Sequence, residues 1–163
     1  MTLRLAVALV VLAALAAYAA APSTAFQYDD FRVVAIDRDV HSWSGFVSSM
    51  PGLRPFTKAS YLANWSVSQQ PAGFALVGVA LHVAASMFVL VLARRWIPAM
   101  APACPRPAFA ALACALLFAL HPAQTEAVVY IAGRSSVLSG LTGAPASDNS
   151  KAARSSRAAT NRT

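Results

Sequence analysis

Three long apolar stretches restrict this chain to a fold that suits a membrane. They cover residues 5–21, 73–92 and 108–121 and contain almost only apolar side chains. A helix that spans a bilayer needs about 17–25 apolar residues, so the second stretch qualifies and the first is sufficient. Only 12% of the residues are charged, against about 25% in soluble domains. The sequence therefore predicts an all-α membrane protein with about three transmembrane helices.

Two of these stretches have an alternative interpretation. The third is short, and it is either a membrane span or a re-entrant or interfacial segment. The first also has the features of a secretory signal peptide, because a charged start precedes its apolar run and small residues lie near Ala21. Its apolar run is longer than the core of about 7–15 residues that signal peptides have, which favours a retained helix. In either case the loop that follows is exported.

The arginine and lysine residues predict how the helices are oriented. Arg4 precedes the first stretch, and Arg94, Arg95 and Arg106 separate the second from the third. In the loop 27–71, four acidic residues balance four basic ones. The positive-inside rule then places the N-terminus in the cytoplasm and the loop 27–71 outside, in an inner or plasma membrane. The net charge of +7 is scattered along the chain, so we expect no nucleic-acid partner.

The outer loop is expected to have structure of its own. Residues 57–65 predict an interfacial helix, with Tyr61 and Trp65 at the level of the lipid headgroups. Residues 33–36 predict a short strand or helix. In the second apolar stretch, His82 is expected to hydrogen-bond to a neighbouring helix, because a polar ring is costly at membrane depth. The alternative is a direct contact with substrate.

An acidic pair, Asp29 and Asp30, follows the first apolar stretch. A carboxylate at the mouth of a membrane helix suits acid/base chemistry on a lipid-borne substrate, and the alternative is a solvated loop charge. His121, Glu126 and Arg134 follow the third stretch and are expected on the same side. Arg134 could hold a phosphate through two hydrogen bonds or form an ion pair with Glu126. Two adjacent aspartates are too few for a cation site, so the sequence predicts no metal and no cofactor.

Five strings occur in the order found in one known family. They are FQYDDF, LRPF, SYLANW, GFALVGVALHVAASMFVLVLARR and ALLFALHPAQTEAVVYIAGRSSVLSG, and the most specific part is HPAQTEAVVYIAGRS in the last of them. Over roughly residues 5–140 the chain resembles the N-terminal part of membrane proteins with transmembrane and tetratricopeptide repeats. That family is similar to protein O-mannosyltransferases and has the GT-C glycosyltransferase fold.

The resemblance implies a specific chemistry. Such enzymes transfer a sugar of the mannose type from a polyprenyl-phosphate donor to a hydroxyl of a protein acceptor. It implies that Asp29 or Asp30 is the catalytic base or orients the acceptor, with Asp30 slightly favoured. It also implies that Arg134, assisted by His121, faces the donor phosphate, that Glu126 orients one of them or the backbone, and that Arg54 braces the loop or touches substrate.

The chain departs from the family pattern near residue 141. Residues 1–140 resemble an N-terminal fragment of a GT-C-like membrane domain, whereas residues 141–163 are basic, rich in Ala and Ser, and expected to be disordered. We therefore expect a truncated bundle that is inactive as a glycosyltransferase by itself. Two other hypotheses remain at this point: a small non-catalytic membrane interaction protein, and an exported protein with a cleaved signal peptide.

Overall fold

The chain folds into helices and helical turns in the residues that a computed structural model describes, which are 1–49, 55–135 and 137–138. Within those ranges it has no strand. The α-helices are α1 (Leu3–Ala17), α2 (Trp43–Ser48), α3 (Pro55–Val67), α4 (Pro71–Met100), α5 (Pro107–Leu120) and α6 (Gln124–Val129). Shorter helical turns are Ala21–Ser23, Phe31–Ala35, Arg38–Val40 and Ile131–Gly133. The predicted all-α class is confirmed for this part of the chain.

The apolar bundle consists of α1, α4 and α5. On α5 the buried residues Ala111, Ala115 and Ala119 follow a spacing of four, which puts them on one face of the helix. Ala6, Val10 and Ala14 of α1 form a similar face, and both faces share a core with Leu90 of α4. Small side chains let the three helices approach one another closely.

Two helical segments are long and apolar enough to cross a membrane. They are Leu3–Ser23, with 21 residues, and Pro71–Met100, with 30 residues. α5 has 14 residues, which at about 1.5 Å per residue gives roughly 21 Å, less than the ~30 Å of a bilayer core. The prediction of a third span at 108–121 therefore stays a prediction.

The second apolar helix is longer at both ends than the predicted 73–92. It begins at Pro71, whose missing N–H is tolerated in a first turn, and it continues past Arg94 to Met100. Pro98 lies inside this last part. Hydropathy marks only the apolar section of the helix, whereas the hydrogen-bonded helix extends into its polar end.

A small folded unit follows α1 and packs on the start of α4. Its core contains Val34, Val40, Tyr61, Phe74 and Ile131. α3 confirms the helix predicted at 57–65, and the region predicted as a strand or helix at 33–36 lies largely within the helical turn Phe31–Ala35. Lys58 of α3 joins Asp39 at 3.0 Å and Asp37 at 3.8 Å. The predicted roles of Arg54 and of the tail 141–163 concern positions outside the described residues.

His82 makes the interhelical contact that its position in an apolar helix predicts. Its Nε2 lies 3.0 Å from the carbonyl oxygen of Ala119 on α5. The ring stacks on Phe118 and meets the edge of the Tyr18 ring. His82 is therefore buried among α1, α4 and α5 and contributes to their packing.

Candidate functional site

Asp30 is a buried carboxylate that joins two distant parts of the chain. It is 1% exposed. Its Oδ1 accepts the N–H of Ala132 at 2.7 Å, and its Oδ2 accepts the N–H of Gln27 at 3.1 Å. Both oxygens thus accept main-chain donors, one of them 102 residues away. This geometry holds the loop after α1 against the segment after α6.

Asp29, in contrast, is exposed to solvent. It follows Tyr28, which has a φ of 39° and is 88% exposed. A non-glycine residue in this left-handed region costs roughly 1–2 kcal/mol, and such strain occurs often at functional sites. The structure therefore distinguishes two adjacent aspartates of the same type: Asp30 is buried and accepts two main-chain hydrogen bonds, whereas Asp29 is exposed.

Tyr130 lies beside the acidic pair. Burial raises the pKa of its hydroxyl above the ordinary 10.0, and a main-chain hydrogen bond with Asp29 partly opposes this effect. The negative charges of Asp29, Asp30 and Glu126 raise the pKa further. The hydroxyl therefore stays protonated at neutral pH. The exposed side chain of Glu126 adds a third carboxylate to this neighbourhood.

Arg134 is buried, with 2% of its surface exposed. Its Nη2 donates to Asn64 Oδ1 at 3.1 Å and to the Phe74 carbonyl at 2.9 Å, and its Nη1 lies 3.4 Å from the Ser60 carbonyl. The guanidinium also lies over the ring of Tyr61, 5.0 Å from its centroid. Burial lowers the pKa of Arg134 to about 10, so it remains a cation at neutral pH.

The alternative in which Arg134 pairs with Glu126 does not occur in the structure. The ion pairs among the described residues join Lys58 to Asp37 and Asp39. Arg134 is held by neutral oxygens of α3 and α4, and its buried Nε has no hydrogen-bond partner in this part of the protein. The residue therefore ties the segment after α6 to both helices.

His121 ends α5 and is exposed. Its Nδ1 accepts the N–H of Ala123 at 3.2 Å. It lines a shallow apolar groove of about 440 Å³ with Leu117, Leu120 and Pro122. Within the described residues, no hydrogen bond joins it to the acidic pair or to Arg134. The structure thus brings Asp29, Asp30, Tyr130 and Glu126 together and leaves His121 at a separate position.

A larger groove lies between α3 and the start of α4. It has a volume of about 660 Å³, and its walls include Leu76, Val77, Ser60 and Asn64. Ser60 and Asn64 also accept hydrogen bonds from Arg134, as the Phe74 carbonyl does. No sequence pattern indicates this role of Asn64, because a single amide in a helix has many possible partners.

A metal ion is usually held by several ligating side chains that lie close together. The part of the chain that the structure describes contains no group of three or more His, Cys, Asp or Glu side chains placed to hold an ion. Asp29 and Asp30 do not converge on one point, since one is exposed and the other accepts two main-chain hydrogen bonds.

Comparison with known proteins gives two relatives that share part of this sequence. Protein O-mannosyl-transferase Tmtc1 of Drosophila melanogaster is 36% identical over 87 residues, which are 53% of this chain and 9% of that protein. Protein O-mannosyl-transferase TMTC3 of Mus musculus is 26% identical over 132 residues, 71% of this chain and 13% of that protein. No protein-family model matches the chain, and no solved structure matches it. The chain spans about a tenth of these relatives and is weakly similar, over part of its length, to protein O-mannosyl-transferases, a similarity that suggests a glycosyltransferase-like membrane protein.

Proposed function

We propose that this chain carries the acceptor-activating site of a membrane glycosyltransferase. The reaction transfers a mannose-type sugar from a polyprenyl-phosphate donor to a hydroxyl of a protein. The observation that carries this proposal is the exposed carboxylate of Asp29, beside a neighbour, Asp30, that is fixed by Ala132 and Gln27. Two sequence strings of the implied family, around Asp30 and around Ala132, meet at this point.

Asp29 is the proposed general base. An acceptor hydroxyl that attacks the anomeric carbon forms a new C–O bond and loses a proton, which the Asp29 carboxylate takes. The bond between the sugar and the donor phosphate breaks, and the polyprenyl phosphate leaves with that electron pair. A positioned base of this kind contributes about 10²–10⁴-fold to a rate. Asp30 is assigned a positioning role, because both of its oxygens already accept hydrogen bonds.

We propose that cationic and polar residues after α5 form the side of the site that faces the phosphate of the sugar donor. His121 is exposed and can reach a ligand, whereas Arg134 can bind a phosphate only by exchanging its bonds to Asn64 and Phe74 for phosphate oxygens. We therefore propose His121 for direct contact and Arg134 for positioning α3 and α4. Glu126 is proposed to keep Tyr130 protonated through its negative charge, and Arg54 stays a proposed loop or substrate contact.

The proposed topology follows from the distribution of arginine. Arg94, Arg95 and Arg106 mark the cytoplasmic side together with the N-terminus. Asp29 then faces the outer compartment, where an exported acceptor is available. The apolar faces of α1 and α4 contact the bilayer.

A transfer assay tests this function. Because the chain is expected to be inactive by itself, it is expressed in membranes together with an O-mannosyl-transferase relative that lacks the segment matched by this chain. These membranes are supplied with a radiolabelled polyprenyl-phosphate mannose and a Ser/Thr-rich peptide, and label in the peptide is measured. We expect transfer above that of membranes with either protein alone, a loss of at least about 100-fold in Asp29→Asn, and a change below about twofold in the matched loop variant Asp39→Asn. Absence of transfer by the two proteins together, or full transfer with Asp29→Asn, would contradict the proposal.

A further inference from the structure

A small cavity with one charged lining residue lies at the opposite end of α4 from the acidic site. It has a volume of about 140 Å³ and is lined by Arg94, Pro98, Pro107 and Ala108. It therefore lies where α4 ends and α5 begins. Arg94 follows Phe74 by 20 positions on α4, which corresponds to roughly 30 Å along the helix. At ~30 Å³ per water molecule, this cavity has room for a group of about four or five heavy atoms.

Arg94 places an unpaired donor at this cavity. Its Nη1 is buried and has no hydrogen-bond partner among the residues that the structure describes. A buried donor without an acceptor costs about 1–3 kcal/mol, and more when it is charged. Neither α4 nor α5 can supply a carboxylate, because residues 71–120 contain no Asp or Glu. The cavity thus has a cationic donor and lacks an anionic acceptor from its own helices.

Two prolines, Pro98 and Pro107, line the cavity. Pro98 has no N–H, so the helical hydrogen bond to the Arg94 carbonyl cannot form there. Pro107 occupies the first turn of α5, where its missing N–H is tolerated. The positive end of the dipole of this 14-residue helix also faces the region of Ala108 and favours a negative charge.

The surroundings of the cavity match the headgroup region of a membrane. Arg95 and Arg106 are exposed, and Trp96 is exposed within the same turn of helix. Val91 and Phe109 present apolar surface next to the cavity-lining positions. Trp and Arg are common at the interface of bilayers, and basic pockets between membrane helices bind lipid headgroups. A ligand with both an anionic head and acyl chains fits this pattern better than a free ion.

We propose that this cavity binds the phosphate of an anionic phospholipid, with Arg94 as its central ligand. The guanidinium offers two N–H groups in a plane that matches two phosphate oxygens. The acyl chains then lie along the apolar surface beside Val91 and Phe109. This lipid site is separate from the proposed glycosyltransferase site and does not depend on it.

Native mass spectrometry of the full chain in detergent, titrated with phosphatidylglycerol, tests the site. Arg94→Gln should weaken retention of one lipid by about tenfold or more, which corresponds to about 1.4 kcal/mol. The matched variant Arg95→Gln removes the same charge from an exposed neighbour and should change retention by less than about twofold. Diacylglycerol with the same chains should not be retained.

Other outcomes of this experiment would overturn the proposal. Equal losses of lipid retention in Arg94→Gln and Arg95→Gln would show that the lipid is attracted by the basic surface in general and not by this cavity. Equal binding of inorganic phosphate, with displacement of the lipid, would assign the cavity to a free anion. Arg94→Lys is the control for a folding defect, because it keeps the positive charge at this position. It differs from the wild type in lacking the planar pair of N–H donors. It should bind with intermediate strength, and unchanged binding would rule out the two-bond geometry.

Discussion

Replacing Asp30 by Asn should loosen the contact between the loop after α1 and the segment after α6. Asp30 accepts two main-chain hydrogen bonds while buried, at 2.7 Å from Ala132 and 3.1 Å from Gln27. Asn keeps one acceptor oxygen, but its NH₂ group must face one of the two N–H donors. Hydrogen bonds to charged groups contribute about 1.5–3 kcal/mol each, and a buried unsatisfied donor adds a cost. We expect a loss of about 2–4 kcal/mol in the local free energy of opening.

Amide hydrogen exchange measures this effect at the site itself. At about 1.4 kcal/mol per tenfold change, the amide of Ala132 should exchange about 30- to 700-fold faster in Asp30→Asn than in the wild type. Asp29→Asn is the matched control, because it changes the exposed neighbour in the same chemical way. Exposed substitutions usually change stability by no more than about 0.5 kcal/mol. If both variants accelerate exchange equally, or if Asp30→Asn leaves it unchanged, the assignment of Asp30 as a structural carboxylate is wrong.

Three further predictions concern single side chains. Arg134→Lys should lower the thermal midpoint of the protein in detergent, followed by tryptophan fluorescence, because one ammonium cannot make the separate bonds of the guanidinium; the expected loss is about 1.5–3 kcal/mol, and an unchanged midpoint would refute it. Gly78→Ala puts a methyl group 2.5 Å from the Val128 carbonyl oxygen, so the same melts should show a loss of about 1–3 kcal/mol, whereas wild-type stability would mean that α4 and α6 separate at no cost. The ultraviolet titration of Tyr130, taken as the difference from Tyr130→Phe, should give a pKa above 10.0. Because the folded state disfavours the tyrosinate, this group should reduce stability as the pH rises above 10. Asp29→Asn should lower the pKa of Tyr130 in this titration, because it removes a nearby negative charge. A higher pKa of Tyr130 in this variant would contradict the proximity of Asp29 and Tyr130.

The helical class and the central parts of the helices could be predicted from the sequence, because each depends on which residue types occur within one continuous segment. Residues 73–92 lie inside α4, and 57–65 lie inside α3. The interhelical hydrogen bond of His82 was predicted for a related reason, since a polar ring in an apolar helix needs a partner, and the ring lies 3.0 Å from the carbonyl oxygen of Ala119. The ends of α4 were less predictable, because Arg94 and Arg95 can occur inside a helix as readily as after it.

The arrangement of the site depends on contacts that no local pattern encodes. Asp29 and Asp30 are neighbours of the same type, and the sequence favoured Asp30 slightly as the base. Their different exposure arises from Ala132, whose main-chain N–H reaches only one of them. Similarly, Arg134 had Glu126 as an obvious nearby partner, but Asn64, 70 residues away, accepts its hydrogen bond.

The span of 102 residues between Asp30 and Ala132 also sets an order of events while the chain is made. Ribosomes add about 5–20 residues per second, so Ala132 is synthesised roughly 5–20 s after Asp30. During that interval α4 and α5 are still being produced, and the Asp30 carboxylate has only the N–H of Gln27 nearby. It must remain hydrated until the second donor arrives, because burying a charge before its partner is present is strongly unfavourable. The acidic loop is therefore synthesised before α4 and α5 and reaches its final geometry only after both of them have been made.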